Sequence, residues 1–214
     1  MMCAYDRLYL EKARTALGRM FDYAVYELKY DLTEFFALFL ATGMARRFER
    51  GDAEVLVGKS GVELAYDVCY DSEVKIEFTP FRGTSDRSPE YWAGWALAYY
   101  QWKTALPFSE IVQAVPLETI VSLYSPYHEM DIRQFVDKMN ELYRAANPET
   151  RLKRFRKRAG VSQSELAELS GVPVRTIQQY EQRQKNINKA AAESLVNMAR
   201  VLCCEVADLM ELGE

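Results

Sequence analysis

Histidine is nearly absent from this chain: His128 is the only one in 214 residues. Cysteine is scarce too, and Cys3, Cys69, Cys203 and Cys204 show no CxxC spacing, so no zinc or other metal site is expected. No Gly-rich phosphate loop, HExxH or paired acidic motif is present, and neither a cofactor nor an enzymatic activity is expected. The segment YSPYHEMD (124–131) places the sole histidine beside Glu129 and Asp131, but supplies no nucleophile. Asp131 reads more simply as the N-cap of a following helix, and no catalytic residue is assigned. No apolar run approaches the length of a membrane span, and no charged-then-apolar leader opens the chain. No membrane role and a cytoplasmic location are therefore expected. Adjacent Cys203 and Cys204 read as packing residues.

What is present is apolar enough to fold. The chain is 49% hydrophobic, which excludes general disorder, and its length allows two small domains. A net charge of −4 hides an uneven distribution. Residues 1–148 carry 16 Lys/Arg against 22 Asp/Glu, a net of −6, whereas residues 151–192 carry 10 against 3, a net of +7. A basic module joined to an acidic one is the footprint of a nucleic-acid binder with a partner domain. The run Arg151, Lys153, Arg154, Arg156, Lys157, Arg158 is expected to flank a duplex backbone.

Residues 1–147 read as a mainly helical, aromatic-rich domain. Leu10, Ala13, Leu17, Met20, Phe21 and Ala24 share one helical face. LTEFFALFLATG follows Asp31, is apolar nearly all round and is expected deep in the core. Ser60-x-x-Glu63 is a capping box that opens another helix. Val74–Phe78 alternates with period two, a short strand that could pair with Glu54–Val57 in one β-hairpin. PFRGTSDRS (80–88) reads as a loop, with helix starts near Ser88-Pro89, Pro107, Pro116 and Asp131. In EYWAGWALAYYQW, the residues Trp92, Trp95, Tyr99 and Trp102 form a stripe suited to a core, a partner protein or a flat ligand. Tyr100 and Gln101 are expected on other, exposed faces. Asn147-Pro148-Glu149 marks the domain boundary, with Asn147 as a cap, Pro148 at a first helical position and no dedicated linker.

Residues 162–183, SQSELAELSGVPVRTIQQYEQR, carry the most specific pattern. Ser162 and Glu165 form a second capping box, and Leu166, Ala167 and Leu169 supply an apolar side. Gly171 suits a turn with positive φ, and Pro173 suits the entry of the next helix. Val172, Ile177 and Tyr180 then point inward, leaving Val174, Arg175, Gln178 and Gln179 outside. Arg and Gln are the side chains that read guanine and adenine edges with two hydrogen bonds.

On these residues, 151–212 resembles the DNA-binding domain of phage-repressor, Cro-like helix-turn-helix regulators (the XRE family). The resemblance implies a five-helix domain over 148–214 with recognition helix 173–182, in a chain that is all-α in the main. It also implies that Val174, Arg175 and Gln179 reach base edges. Ser162, Gln163, Thr176 and Gln178 would lie against the DNA backbone, with Arg183, Lys185, Asn186 and Lys157 as further phosphate contacts. Many relatives end the recognition helix with Asn-Gly. Here the positions read Gln182-Arg183, so either the helix runs longer or Arg183 carries local strain.

Three functions fit. The first is a sequence-specific transcriptional regulator, binding double-stranded DNA as a homodimer. The second is an antitoxin whose residues 1–147 neutralise a partner protein. The third is a small-molecule-sensing regulator with its pocket around Trp92, Trp95 and Tyr99.

Overall fold

The structure, a computed structural model of the chain, describes residues 3–73 and 88–211. It divides into two compact units, Met1–Ala146 and Asn147–Glu214. All regular structure among the described residues is helical. No described helix is long and apolar enough to cross a membrane.

The first unit contains α1 (Arg7–Tyr26), α2 (Leu32–Ala41), α3 (Met44–Glu49), α4 (Ala53–Leu56), α5 (Gly61–Asp71), α6 (Pro89–Thr104), α7 (Phe108–Ala114), α8 (Leu117–Ser122), α9 (Tyr124–Tyr127) and α10 (Ile132–Ala146). Their starts follow local side-chain chemistry. Asp31 accepts from the N–H groups of Thr33 and Glu34, which satisfies donors that the first turn of α2 leaves without helical acceptors. The Ser60/Glu63 box is closed in both directions, at 2.7 and 3.3 Å. Ser88 caps α6 with Pro89 in its first turn, and Pro107 and Pro116 precede α7 and α8.

α6 lies at the centre, packed against α1, α8, α9 and α10. It meets α1 backbone to backbone, where Gly94 faces Leu17 and Gly18. Elsewhere in this unit phenylalanine rings gather: Phe36 meets Phe21 at 5.5 Å and Phe108 at 5.9 Å edge to face, and Phe48 lies tilted 5.6 Å from Phe108. Such pairs add directional stabilisation to their buried area.

Several expectations change here. α2 buries Phe35, Phe36 and Phe39, yet Ala37 is exposed and Leu38 only half-buried, so α2 covers the core instead of crossing it. Val74–Phe78, the expected strand, lies outside the described residues, as do residues 80–87 of the expected loop. The proposed pairing segment is not extended, because Asp52 caps a helical turn over Ala53–Leu56 by accepting from Glu54 N–H at 3.0 Å. Tyr100 and Gln101 are buried, since α6 has helices on more than one side; Tyr100 donates to Asn140 Oδ1 at 3.0 Å.

The second unit contains α11 (Arg151–Arg158), α12 (Gln163–Ser170), α13 (Val174–Glu181), a single 3₁₀ turn at Ile187–Lys189, α14 (Ala192–Val201) and α15 (Val206–Leu209). Its core gathers Leu152, Leu166, Val172, Ile177, Tyr180, Leu195, Met198, Leu202 and Leu209. α11 starts later than the boundary pattern suggests. Thr150 is the N-cap, accepting from Lys153 N–H, while Asn147 instead accepts from the Arg154 guanidinium through its side chain. Cys203 is exposed, with φ +51 in the turn after α14, so only Cys204 packs against the core.

The glycine seam gives a stability prediction. A Cβ at position 94 would sit 2.7 Å from the Leu17 carbonyl oxygen, so the backbones must separate. Alanine ordinarily stabilises a helix relative to glycine by about 1 kcal/mol. Here overpacking is expected to win, and Gly94→Ala should destabilise the protein by about 1–3 kcal/mol in urea unfolding followed by far-UV circular dichroism.

Candidate nucleic-acid interface

α12, the turn at Gly171 and α13 form a helix-turn-helix built by short-range rules. Ser162 Oγ accepts from Glu165 N–H at 3.1 Å, and Glu165 Oε2 accepts from Ser162 N–H at 2.7 Å. Donation to the carboxylate from the Ser162 N–H first, and from the Ser162 hydroxyl second, holds the Glu165 carboxyl below the usual carboxylate range. α12 ends because Gly171 adopts φ +71, and buried Ser170 links Leu166 O to Val172 N–H across the turn. Pro173 then precedes α13, which turns Ile177 and Tyr180 inward; both are buried.

α13 leaves a row on its outer side. Val174 and Arg175 are exposed, and Thr176, Gln178 and Gln179 are half-buried. On a helix of 3.6 residues per turn, positions 174, 175, 178 and 179 lie within one arc, so the structure brings the expected reading residues together.

Sequence reasoning missed what anchors this row. Arg156, counted among the duplex-flanking cations, turns inward instead. Its Nε and Nη2 meet the Glu181 carboxylate at 2.6 and 3.0 Å, and its Nη1 donates to Val161 O at 2.9 Å. The Glu181 side chain is 2% exposed and that of Arg156 12%. Glu181 holds the guanidinium above its ordinary pKa, against the opposing effect of burial. Gln163 joins the same carboxylate, donating to Oε2 at 2.7 Å, and accepts from Gln178 Nε2 at 3.4 Å. A signal was available: Arg156 is four residues after buried Leu152, on the core face of α11, where a cation requires a partner.

The other expected backbone contacts are placed unequally. Lys185 is exposed, its Nζ 5.6 Å from the Tyr180 ring centre. Asn186 caps the 3₁₀ turn, accepting from Asn188 N–H. Lys157 and Lys153 both pair with Glu149, at 2.5 and 3.1 Å. Arg183 has φ +57 and turns away from the reading row, donating to the carbonyls of Pro148 and Asn147. Leu169 is 64% exposed, so Leu166 supplies the buried apolar side of α12, with Ala167 half-buried beside it.

In the first unit, the aromatic stripe is already occupied by protein. Trp92 packs edge-on against Phe135 at 5.2 Å and Tyr124 at 5.8 Å. The buried Arg14 guanidinium lies 3.3 Å from the Trp95 ring centre and 5.0 Å from that of Tyr99. Trp102 donates to Tyr5 O at 2.8 Å. The faces offered to a flat ligand are thus partly covered from α1. At the sole histidine, the ring stacks on Tyr124 at 4.0 Å, and Asp131 is bound by the Arg133 guanidinium, which holds its carboxyl down at about 2.

Residues 152–202 match a family model described as helix-turn-helix. That segment is therefore a helix-turn-helix of the DNA-binding, XRE regulator type, while the match leaves residues 1–151 and 203–214 uncovered. Neither a curated protein nor a solved structure matches the chain.

The buried pair is testable through stability. Removing one partner of such a pair leaves an uncompensated buried charge, so Glu181→Ala should cost about 3 kcal/mol. Replacing Glu181 and Arg156 together by methionine should cost less than Glu181→Ala alone. Urea titrations of the single and double variants measure both, and a double replacement costlier than the single one would show that packing, not charge, dominates.

Proposed function

We propose that this chain is a sequence-specific DNA-binding transcriptional regulator that inserts α13 in the major groove. The observation that carries the reading is the outward row on α13, seated on a helix-turn-helix and flanked by exposed cations. Arg175 is the candidate for paired hydrogen bonds to guanine, Gln179 for adenine, and Val174 for apolar contact with a thymine methyl. The capping box uses the Glu165 N–H, and the N–H groups of Gln163 and Ser164 before it have no intrahelical acceptor, which suits a phosphate near Ser162 and Gln163. Lys185 and Asn186 would continue the backbone contact, with Thr176 and Gln178 bordering it.

Gln163 has a second role in this reading. Its amide is held by Glu181 and in turn meets Gln178, so the start of α12 and the outer face of α13 are fixed before DNA arrives. Preorganised groups lose less conformational freedom on binding. Lys157 and Lys153 would exchange Glu149 for phosphate oxygens, and Arg183 is assigned a different task below.

One helix-turn-helix reads only a few base pairs. We therefore infer a homodimer binding two half-sites, with centres roughly 34 Å apart or a multiple of it. Residues 1–146 would supply the dimer contact or receive the signal that alters affinity, without an enzymatic activity of their own. The Arg14 guanidinium on Trp95 and Tyr99 favours a packing role for the aromatic stripe over ligand capture.

Selection from a randomised duplex library, followed by fluorescence anisotropy, tests this reading. Arg175→Ala should weaken the selected duplex by about 1–3 kcal/mol and relax preference at one base pair. Lys185→Ala should weaken all duplexes alike and reduce the salt slope by about 0.9. Identical behaviour of the two variants would overturn the assignment of the reading face. Sedimentation of the full chain on the selected duplex should give two chains per site.

A further inference from the structure

The end of α13 is built in a way that its turn does not require. Gln184 N–H and Lys185 N–H both donate to Gln179 O, at 2.9 and 3.2 Å, and Arg183 N–H donates to Tyr180 O at 3.1 Å. This closure needs a left-handed residue at position 183, for which glycine is the unstrained choice. Arg183 occupies it at φ +57. Its side chain shows what the arginine adds. Nη1 donates to Pro148 O at 2.7 Å and Nη2 to Asn147 O at 3.3 Å. The second nitrogen also lies 3.8 Å from Glu211 Oε2, while Glu211 Oε1 accepts from Arg151 N–H at 2.6 Å.

Asn147 and Pro148 are the first residues of the second unit and directly follow Ala146, the last residue of α10. One planar guanidinium therefore straps the loop after α13 to the segment through which the chain arrives from the first unit. Two carbonyls gripped by one rigid fork fix an orientation as well as a distance. The loop is in turn bonded to Gln179, a proposed reading residue. Hydrogen bonds thus run without a gap from residues 147–148 through Arg183 to the end of α13 and to Lys185.

We propose that Arg183 is a positioning residue that couples the state of residues 147–148 to the DNA affinity of α13. It acts through those carbonyls and not through a phosphate. The inference rests on the DNA-binding reading above. Coupling of this kind is reciprocal: whatever reorders residues 147–148 changes DNA affinity, and DNA must change the order of residues 147–154.

The test uses the full chain and a duplex enriched by the wild type from a randomised library. Arg183→Gly keeps the left-handed turn and deletes the strap; Arg183→Asn does the same with a side chain too short to reach. Both should remain folded by circular dichroism. Each should lose affinity by roughly fivefold or more, the lower end of ordinary coupling energies, with an unchanged salt slope. In the wild type, DNA should slow amide exchange at residues 149–154, and that protection should be lost in both variants. A salt slope lowered by about 0.9 would make Arg183 a phosphate contact and overturn the proposal. Unchanged affinity, or DNA protection that survives in the variants, would overturn it as well. A wild-type chain that enriches no duplex would instead overturn the DNA-binding reading, and the strap with it.

Discussion

The second unit depends on a buried ion pair. Moving Arg156 and Glu181 out of water is unfavourable unless both find complete partners, and each does: Arg156 takes two carboxylate oxygens and the Val161 carbonyl, and Glu181 also accepts from Gln163. These contacts tie α11, the start of α12 and the end of α13 together through directional bonds. Apolar packing of Leu166, Ile177 and Tyr180 holds the same helices but tolerates small rotations. The ion pair restricts them. A helix that reads base edges needs that restriction, because its side chains must arrive in register with fixed donors and acceptors.

Around this anchor, each turn is set by one residue. Gly171 reverses the chain between α12 and α13 in the left-handed conformation. Arg183 does the same after α13, where its strained backbone is offset by bonds from its guanidinium to two carbonyls. The first unit solves a different problem. There α1 and α6 approach at Gly18 and Gly94, with the Tyr91 ring and the Trp95 side chain against Gly18, while Phe21, Phe36, Phe39, Phe48 and Phe108 form a separate run of ring contacts. Its buried arginine, Arg14, finds π faces on Trp95 and Tyr99, and a carboxylate in Glu11 at 2.8 Å.

Much of this was legible in the residues, and the rest had identifiable reasons to be hidden. Capping boxes at Ser60 and Ser162 and the prolines before α7 and α8 are local signals, and the helices start where they say. The inward set of α13 follows from period alone. Arg156 was misplaced because a run of six cations reads as a solvated face until the neighbouring Leu152 identifies which side is buried. Glu54–Val57 is not a strand because the Asp52 side chain caps a helical turn over Ala53–Leu56. A stripe implies one buried face, which leaves Tyr100 and Gln101 outward, whereas α6 is covered on more than one side. The destination of the Arg183 side chain lies 35 residues away in sequence, beyond the reach of any local pattern.

In the function proposed, one outward face, fixed by a buried ion pair, meets duplex DNA. Amide chemical shifts of the full chain, recorded as an enriched duplex is added, test it most directly. The largest changes should fall at residues 162–164, 174–179 and 185–186, while the Ile177 and Tyr180 side chains keep their buried environment. Changes confined to residues 3–73 and 88–146, with 174–179 unmoved, would contradict it.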